Sequence, residues 1–416
     1  MNEDHFARYS AALAEYRQTQ AALRKLKGPR GTEERKRLRQ TRRDLVSGYT
    51  REILGRSLYA AVDSSEALTL FWFNHFNVYW RKELVGAALP DYVESAIRPH
   101  ALGRFRDLLL AVITHPAMLV YLDNDHNVAG RINENLAREL LELHTLGVTG
   151  GYGQTDVGEV ARVLTGLGLR PIRPGRMPKQ LAGMVREHGE FMFDPRKHDF
   201  GEKRVLGVAI PGSGFSEIET LIDLLARHPS TARHIAGKLG TFLLGDDVPE
   251  AVVANAAGVF QRTDGDIRAT VRNIVQARDR VAGGRTFKDP FRFVASAVRL
   301  LAMGEPLKDV RPLSRWLAAL GQPLFGRRTP DGYSLSGRDW LSAGQLTQRF
   351  ELAREMVAVV PRLLEKPVSA AQIRAAPATE ALVATLGPKS RHALARATRD
   401  RDYLALLLSS PEFMYW

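Results

Sequence analysis

The sequence predicts a mainly α fold, a large multi-helix globular assembly with one small β-hairpin insertion, and three observations carry that prediction. Apolar residues recur at helical spacing along most of the chain. Proline and glycine gather between about residues 171 and 214, where two short apolar runs interrupt the helical text. A composition of 44% hydrophobic and 25% charged residues belongs to a chain that buries a core, and 416 residues suffice for two or three domains.

The elements follow in order. The first helix is predicted over about residues 6–27, with Gly28-Pro29 as its stop. A long second helix begins near Glu33 and repeats Leu38, Leu45, Tyr49, Ile53 and Leu54 on one face. The run from Leu70 through Trp80 is dense in rings, which predicts a buried helix. Further helices are expected near residues 91–114, 133–146 and 156–167. The runs at 190–193 and 204–208 flank a polar loop and predict a hairpin within residues 188–210. Helical text resumes at 216–227, 230–244, 249–261, 266–277 and 290–303. A loop rich in Gly, Arg and Pro, 321–339, then precedes a last group of helices.

Three regions result. Residues 1–60 form a basic N-terminal helical segment, 61–214 a central helical core with the Pro/Gly-rich hairpin insertion, and 215–416 a C-terminal helical region packed on that core. No fixed-period repeat is present, which excludes a solenoid.

Composition removes several classes of function. The cysteine count is zero, so disulfides, thiolate metal sites and a cysteine nucleophile are excluded. No apolar run approaches the roughly 18 residues of a membrane-spanning helix. The first residues lack a charged-then-apolar leader pattern. The chain therefore reads as cytoplasmic as it stands, and as exported if a leader precedes it. A net charge of +13 favours acidic partners. Ten Lys or Arg residues lie between Arg24 and Arg43, including Arg35, Lys36, Arg37, Arg39, Arg42 and Arg43. Polyanion contact through this run competes with a plain solvated helix face, which the absence of base-stacking groups favours.

Candidate chemistry centres on two segments. On the predicted helix 133–146, Leu136, Ala137, Leu140, Leu141 and Leu143 share a side with Asn133 and His144, while Asn135, Arg138, Glu139 and Glu142 lie opposite. Asn133 reads most simply as a helix cap, and His144 as a hydrogen-bonded core residue. Arg138 can pair with Glu134 or Glu142; a second carboxylate beside it, Glu139, would have a raised pKa and serve as an acid. The Glu-x-x-His step of a di-iron bundle is absent. In His198-Asp199-Phe200-Gly201-Glu202-Lys203 an aspartate can fix the imidazole tautomer and the lysine can hold an anionic group, unless the segment is only a turn. Asp123, Asp125, Asn127 and Glu134 imitate a calcium loop, but Val128 stands where glycine is needed. Gly147 reads as a helix C-cap. His75 lies in apolar text and is a further candidate. Neither metal nor cofactor is assigned by these patterns.

The stretches Phe71-Trp72-Phe73-Asn74-His75-Phe76, Arg98-Pro99-His100-Ala101-Leu102-Gly103-Arg104-Phe105 and Pro116-Ala117-Met118-Leu119-Val120-Tyr121-Leu122-Asp123-Asn124 lead to a long block, Asn133-Glu134-Asn135-Leu136-Ala137-Arg138-Glu139-Leu140-Leu141-Glu142-Leu143-His144-Thr145-Leu146-Gly147. Together with Asp156-Val157, the His198 to Lys203 segment and Ser410-Pro411-Glu412-Phe413, they resemble the bacterial family designated domain of unknown function 1800. That family has no assigned chemistry. The resemblance implies a large helical bacterial protein, often exported and commonly encoded beside a family that looks like alkaline phosphatases or sulfatases. The first expectation is thus an exported or envelope accessory acting with a phosphatase-like or sulfatase-like partner. The alternative is a hydrolytic or metal-dependent enzyme with a polar site between the central helix and the 198–203 loop. Its catalytic candidates are Glu139, His144, His198, Asp199 and Lys203, and its binding candidates Asn133, Asn135, Arg138, Glu142 and His75.

Overall fold

A computed structural model of the protein describes residues 3–59, 64–82, 84–173, 175–278 and 285–416. It is 64% helical, with only small antiparallel sheets, so the chain is mainly α. Helices α1 (Glu3–Leu23) and α2 (Gly28–Tyr59) form a hairpin. The first helix stops at Leu23, short of the expected residue 27, and Gly28-Pro29 starts the second, because proline lacks only an N–H that the first helical turn leaves unpaired. Next come α3 (Ser64–His75), α4 (Val85–Asp91), α5 (Phe105–Ile113), α6 (Pro116–Tyr121), α7 (Asn135–Glu139) and α8 (Gln154–Val163). Helices α4 and α7 each continue into a π-helical turn, Tyr92–Ile97 and Leu140–Thr145. The single helix expected near 91–114 is divided at Pro99, where the chain tightens into the 3₁₀ turn Arg98–His100.

The β content is small and divided in two. Strands β1 (Leu167–Leu169), β2 (Arg186–His188) and β3 (Phe191–Phe193) form one antiparallel sheet in the order β1-β3-β2, with a short helix α9 (Lys179–Ala182) in the connection. Strands β4 (Lys203–Val205) and β5 (Val208–Ile210) form a separate hairpin, Lys203 opposite Ile210. The two runs expected to pair with each other therefore belong to different sheets. Phe191 and Phe193 find their partners in Leu169 and Leu167, where all three β3 side chains are buried.

Helices α10 (Phe215–Arg227), α11 (Pro229–Leu244), α12 (Glu250–Arg262) and α13 (Ile267–Gln276) complete the larger apolar cluster. Trp72, Tyr49, Tyr92, Phe76 and Phe105 lie at its centre. A second cluster is built by α14 (Pro290–Ala302), α15 (Arg311–Ala319), α16 (Ala343–Leu363) and the shorter helices that follow. Its pattern is plain on α14, where Phe293, Val294, Ala297, Val298 and Leu301 make one buried stripe. Helix α2 contributes Val46, Tyr49 and Ile53 to the first cluster, and Leu54 and Leu58 to the second. From the loop after α15, Phe325 returns to the first cluster and packs on Phe73 and Tyr49 at 4.8 and 5.8 Å. Among the described residues no helix is long and apolar enough to cross a membrane.

Candidate functional site

The second π-helical turn explains how a polar site arises inside an apolar core. One residue too many per turn replaces the α-helical pairing: Leu146 N–H reaches Leu141 O at 2.9 Å, and the Thr145 hydroxyl reaches Leu140 O at 2.6 Å. The terminal carbonyls of Leu143 and His144 are left over. Two imidazoles satisfy them: His234 Nε2 donates to Leu143 O at 3.2 Å, and His75 Nε2 to His144 O at 3.1 Å. Carbonyls only accept, so both rings carry their proton on Nε2.

Among the described residues three buried ring nitrogens make no hydrogen bond, Nδ1 of His75 and both nitrogens of His144. The rings of His75 and His144 are 5.7 Å apart, and those of His75 and His234 6.1 Å. Burial first, and the nearby Lys238 charge second, hold all three in the neutral form. His144 is pushed down to about 3, His234 to about 4, and His75 well below its usual range. Gly147 adopts φ +81°, and a Cβ there would lie 3.0 Å from His234 Nδ1, so glycine is needed for both reasons.

In front of His234 opens a polar groove of about 790 Å³. One wall is the α11 face bearing Arg233, His234, Gly237, Lys238 and Thr241. The other is the loop carrying Arg327, Asp331, Gly332 and Tyr333, with Asn74 at the junction. The loop is held rigidly. Asn74 donates to Tyr333 O at 2.8 Å and accepts from Tyr333 N–H at 2.7 Å. Asn77 donates to the carbonyls of Arg327 and Thr329, and the Tyr121 hydroxyl to that of Arg328. Gly332, at φ +74°, passes so close that a Cβ would lie 2.1 Å from Asn74 O.

The groove holds charges of two kinds. Asp331 is fixed as an anion: burial would raise its pKa, but hydrogen bonds from Arg327 and Thr329 outweigh that and lower it. Lys238 is different. It forms no ion pair among the described residues, and burial pulls its ammonium down to about 8 against the opposing pull of Asp331. At pH 7 Lys238 stays mostly charged, with a minority as free amine, the form in which lysine acts as base or nucleophile.

Compared with known proteins, the chain matches the family described as Protein of unknown function (DUF1800) over residues 2–415. It belongs to that family. No curated protein and no solved structure matches it.

The residues singled out in this DUF1800 chain fall into separate groups. His75 and His144 meet behind the groove. Glu139 is partly buried on the same helix; burial raises its carboxyl, Glu142 and Asp331 raise it further, and Arg138 opposes them. Arg138 pairs with Glu134 at 3.0 Å and also with Gln154. Asn133 is expected to cap the helix, but the N-cap position falls on Glu134; Asn133, one residue ahead of it, accepts at Oδ1 from Asn135 N–H at 3.0 Å, while Asn135 itself is exposed.

His198, Asp199 and Lys203 form a different cluster, closed upon itself. His198 Nε2 lies 2.9 Å from Glu217 Oε1, and its Nδ1 lies 2.8 Å from Thr165 O. Lys203 Nζ donates to Glu217 Oε2 at 2.5 Å and to Asp199 O. Asp199 takes two hydrogen bonds from Arg162, which also grips Glu159. The side chains of His198, Lys203 and Glu217 are wholly buried. No hydrogen bond, ion pair or ring contact among the described residues joins this cluster to His144, and neither lines the groove.

The calcium-like residues serve other ends. Asp123 pairs with Lys82 at 2.6 Å and Glu134 with Arg138. Among the described residues no group of three or more His, Asp or Glu is arranged to hold a metal ion. Sequence reasoning missed His234, Lys238, Asp331 and Glu217. The one available clue was the polar spacing of Arg233, His234, Gly237, Lys238 and Thr241 beside the apolar Ala232, Ile235, Ala236 and Leu239.

Proposed function

We propose that the polar groove beside α11 is the working site of this chain, with Lys238 as a base or nucleophile acting on a small polar ligand. The observation that supports it is a lysine lining that groove with no ion-pair partner among the described residues, backed by imidazoles whose nitrogens are unsatisfied among them. Arg233, Lys238 and Arg327 face Asp246, Glu250, Asp331 and Asp339 along the lining. Such near-balance of charge suits an uncharged or zwitterionic ligand rather than a polyanion.

Competitive acetylation across a pH series, read by peptide mass spectrometry, tests the reactive group. Lys238 is expected to titrate near 8, with surface lysines near 10.4. An ordinary value at Lys238 would remove its role. A thermal-shift screen of polar carbonyl and hydroxyl compounds tests the site, since a genuine ligand loses its shift in Lys238→Met. The hydrolytic reading is thereby moved from the 198–203 loop to this groove. An accessory role beside a phosphatase-like or sulfatase-like partner rests on the family resemblance, and co-expression decides it: no association at micromolar concentration would exclude the pairing.

A further inference from the structure

The hairpin of α1 and α2 carries a charge that the groove does not use. Between Arg24 and Arg43 stand ten Lys or Arg residues against two carboxylates, Glu33 and Glu34. Lys25, Lys27, Lys36, Arg39 and Arg43 are exposed, and their side chains make no ion pair or hydrogen bond among the described residues. At 3.6 residues per turn, Lys36, Arg39 and Arg43 fall within an arc of about 60° on α2. Their stripe faces solvent.

The apex of the hairpin is a built turn. Gly28 takes φ +70°, a Cβ on Gly31 would lie 2.6 Å from Leu26 O, and Arg35 Nη2 donates to that same carbonyl at 2.9 Å. This geometry holds Leu26 outward, 41% exposed, between Lys25 and Lys27. An apolar side chain fixed at the tip of a cationic hairpin adds nothing to a solvated face. It also adds nothing to contact with nucleic-acid phosphates, and no aromatic residue between 24 and 43 offers a base a stacking surface. The combination matches a surface that is anionic outside and apolar just beneath.

We infer that the α1–α2 apex docks on an anionic lipid bilayer. Leu26 enters the boundary between headgroups and acyl chains, while Lys25, Lys27 and the Lys36–Arg39–Arg43 stripe lie against lipid phosphates. Contact of this kind requires no spanning helix.

Flotation of the full chain with vesicles tests the inference. Binding is expected to phosphatidylcholine vesicles containing phosphatidylglycerol, and not to phosphatidylcholine alone, and it should weaken as salt rises. The triple substitution Lys36→Gln, Arg39→Gln and Arg43→Gln should reduce affinity about a hundredfold. Leu26→Asp should reduce it about tenfold. Because the chain has no cysteine, Leu26→Cys accepts a single environment-sensitive dye, whose emission should shift to the blue on anionic vesicles only. Unchanged circular dichroism and unfolding midpoints would show that these exposed substitutions leave the fold intact. Absence of binding to anionic vesicles, or equal binding by the triple variant, overturns the inference. So does duplex DNA that displaces the vesicles and binds Leu26→Asp as well as the parent chain, because the surface would then be a nucleic-acid one.

Discussion

Two buried polar clusters, close in composition, behave in opposite ways. Around Glu217, every ring nitrogen, ammonium and carboxylate oxygen has a partner: His198, Lys203 and the amides of Ser213 and Gly214. Around His144, three ring nitrogens have none among the described residues, and the nearby Lys238 forms no ion pair among them. A satisfied cluster fixes the fold where it stands, here tying β4 and the 198–203 segment to α8 and α10. An unsatisfied one weakens the fold locally, and that contrast is part of the support for the role proposed for the groove.

The comparison breaks most visibly at Glu217. Glu217→Ala strands the wholly buried Lys203 ammonium and removes a helix-capping carboxylate. A loss of about 3–5 kcal/mol in denaturant unfolding is expected; a loss under about 1 kcal/mol would mean the cluster does not hold the fold.

Acid separates the two clusters next. The His144 pKa is depressed from its unfolded value of about 6.5, so its neutral form stabilises the fold fully above that pH. Below it the unfolded chain takes the proton first, and stability falls by about 1.4 kcal/mol per pH unit, until about pH 3. Glu217 is also depressed: burial would raise it, but hydrogen bonds from His198 and Lys203 outweigh that. Its contribution is lost only below the usual carboxylate range. Unfolding free energies between pH 6.5 and 4.5 thus report the histidine side. His144→Leu should remain within about 1 kcal/mol of the parent at pH 7, because an unsatisfied group is being removed. The same variant should remove its own share of that slope and leave those of His75 and His234; an undiminished slope would place the protonation elsewhere.

Smaller effects sharpen the contrast. Gly147→Ala forces a side chain into a left-handed conformation and against His234, for a loss of about 1–2 kcal/mol. Arg138→Ala opens the half-exposed pair with Glu134 and the exposed hydrogen bond to Gln154, and should shift stability by about 0.5 kcal/mol or less. A larger drop would show that the neighbouring Glu139 and Glu142 depend on that guanidinium.

Helices and family were legible in the sequence because both are written in local text: the stripe of α14, the Gly28-Pro29 junction, the long Asn133 to Gly147 block. Strand pairing was not. Phe191 and Phe193 announce a strand but not its partner, and Leu167 reads as the end of a helix. The π-helical turn at Leu140–Thr145 was equally hidden, since shifting each hydrogen bond by one residue leaves no mark on the apolar pattern. His144 was visible as a polar residue on an apolar side. Its companions were not, because His234 and Lys238 lie on a helix whose polar face looks merely solvated until the 327–339 loop is laid across it.

That loop has one more consequence. Tyr333 meets Asn74 across 259 positions of sequence, with Phe325 seated among aromatics contributed by α2 and α3. A fragment stopping before residue 320 would keep His75, His144 and Lys238 yet leave them on an open shelf with one wall missing. During synthesis the cleft can close only after the ribosome has delivered the far segment.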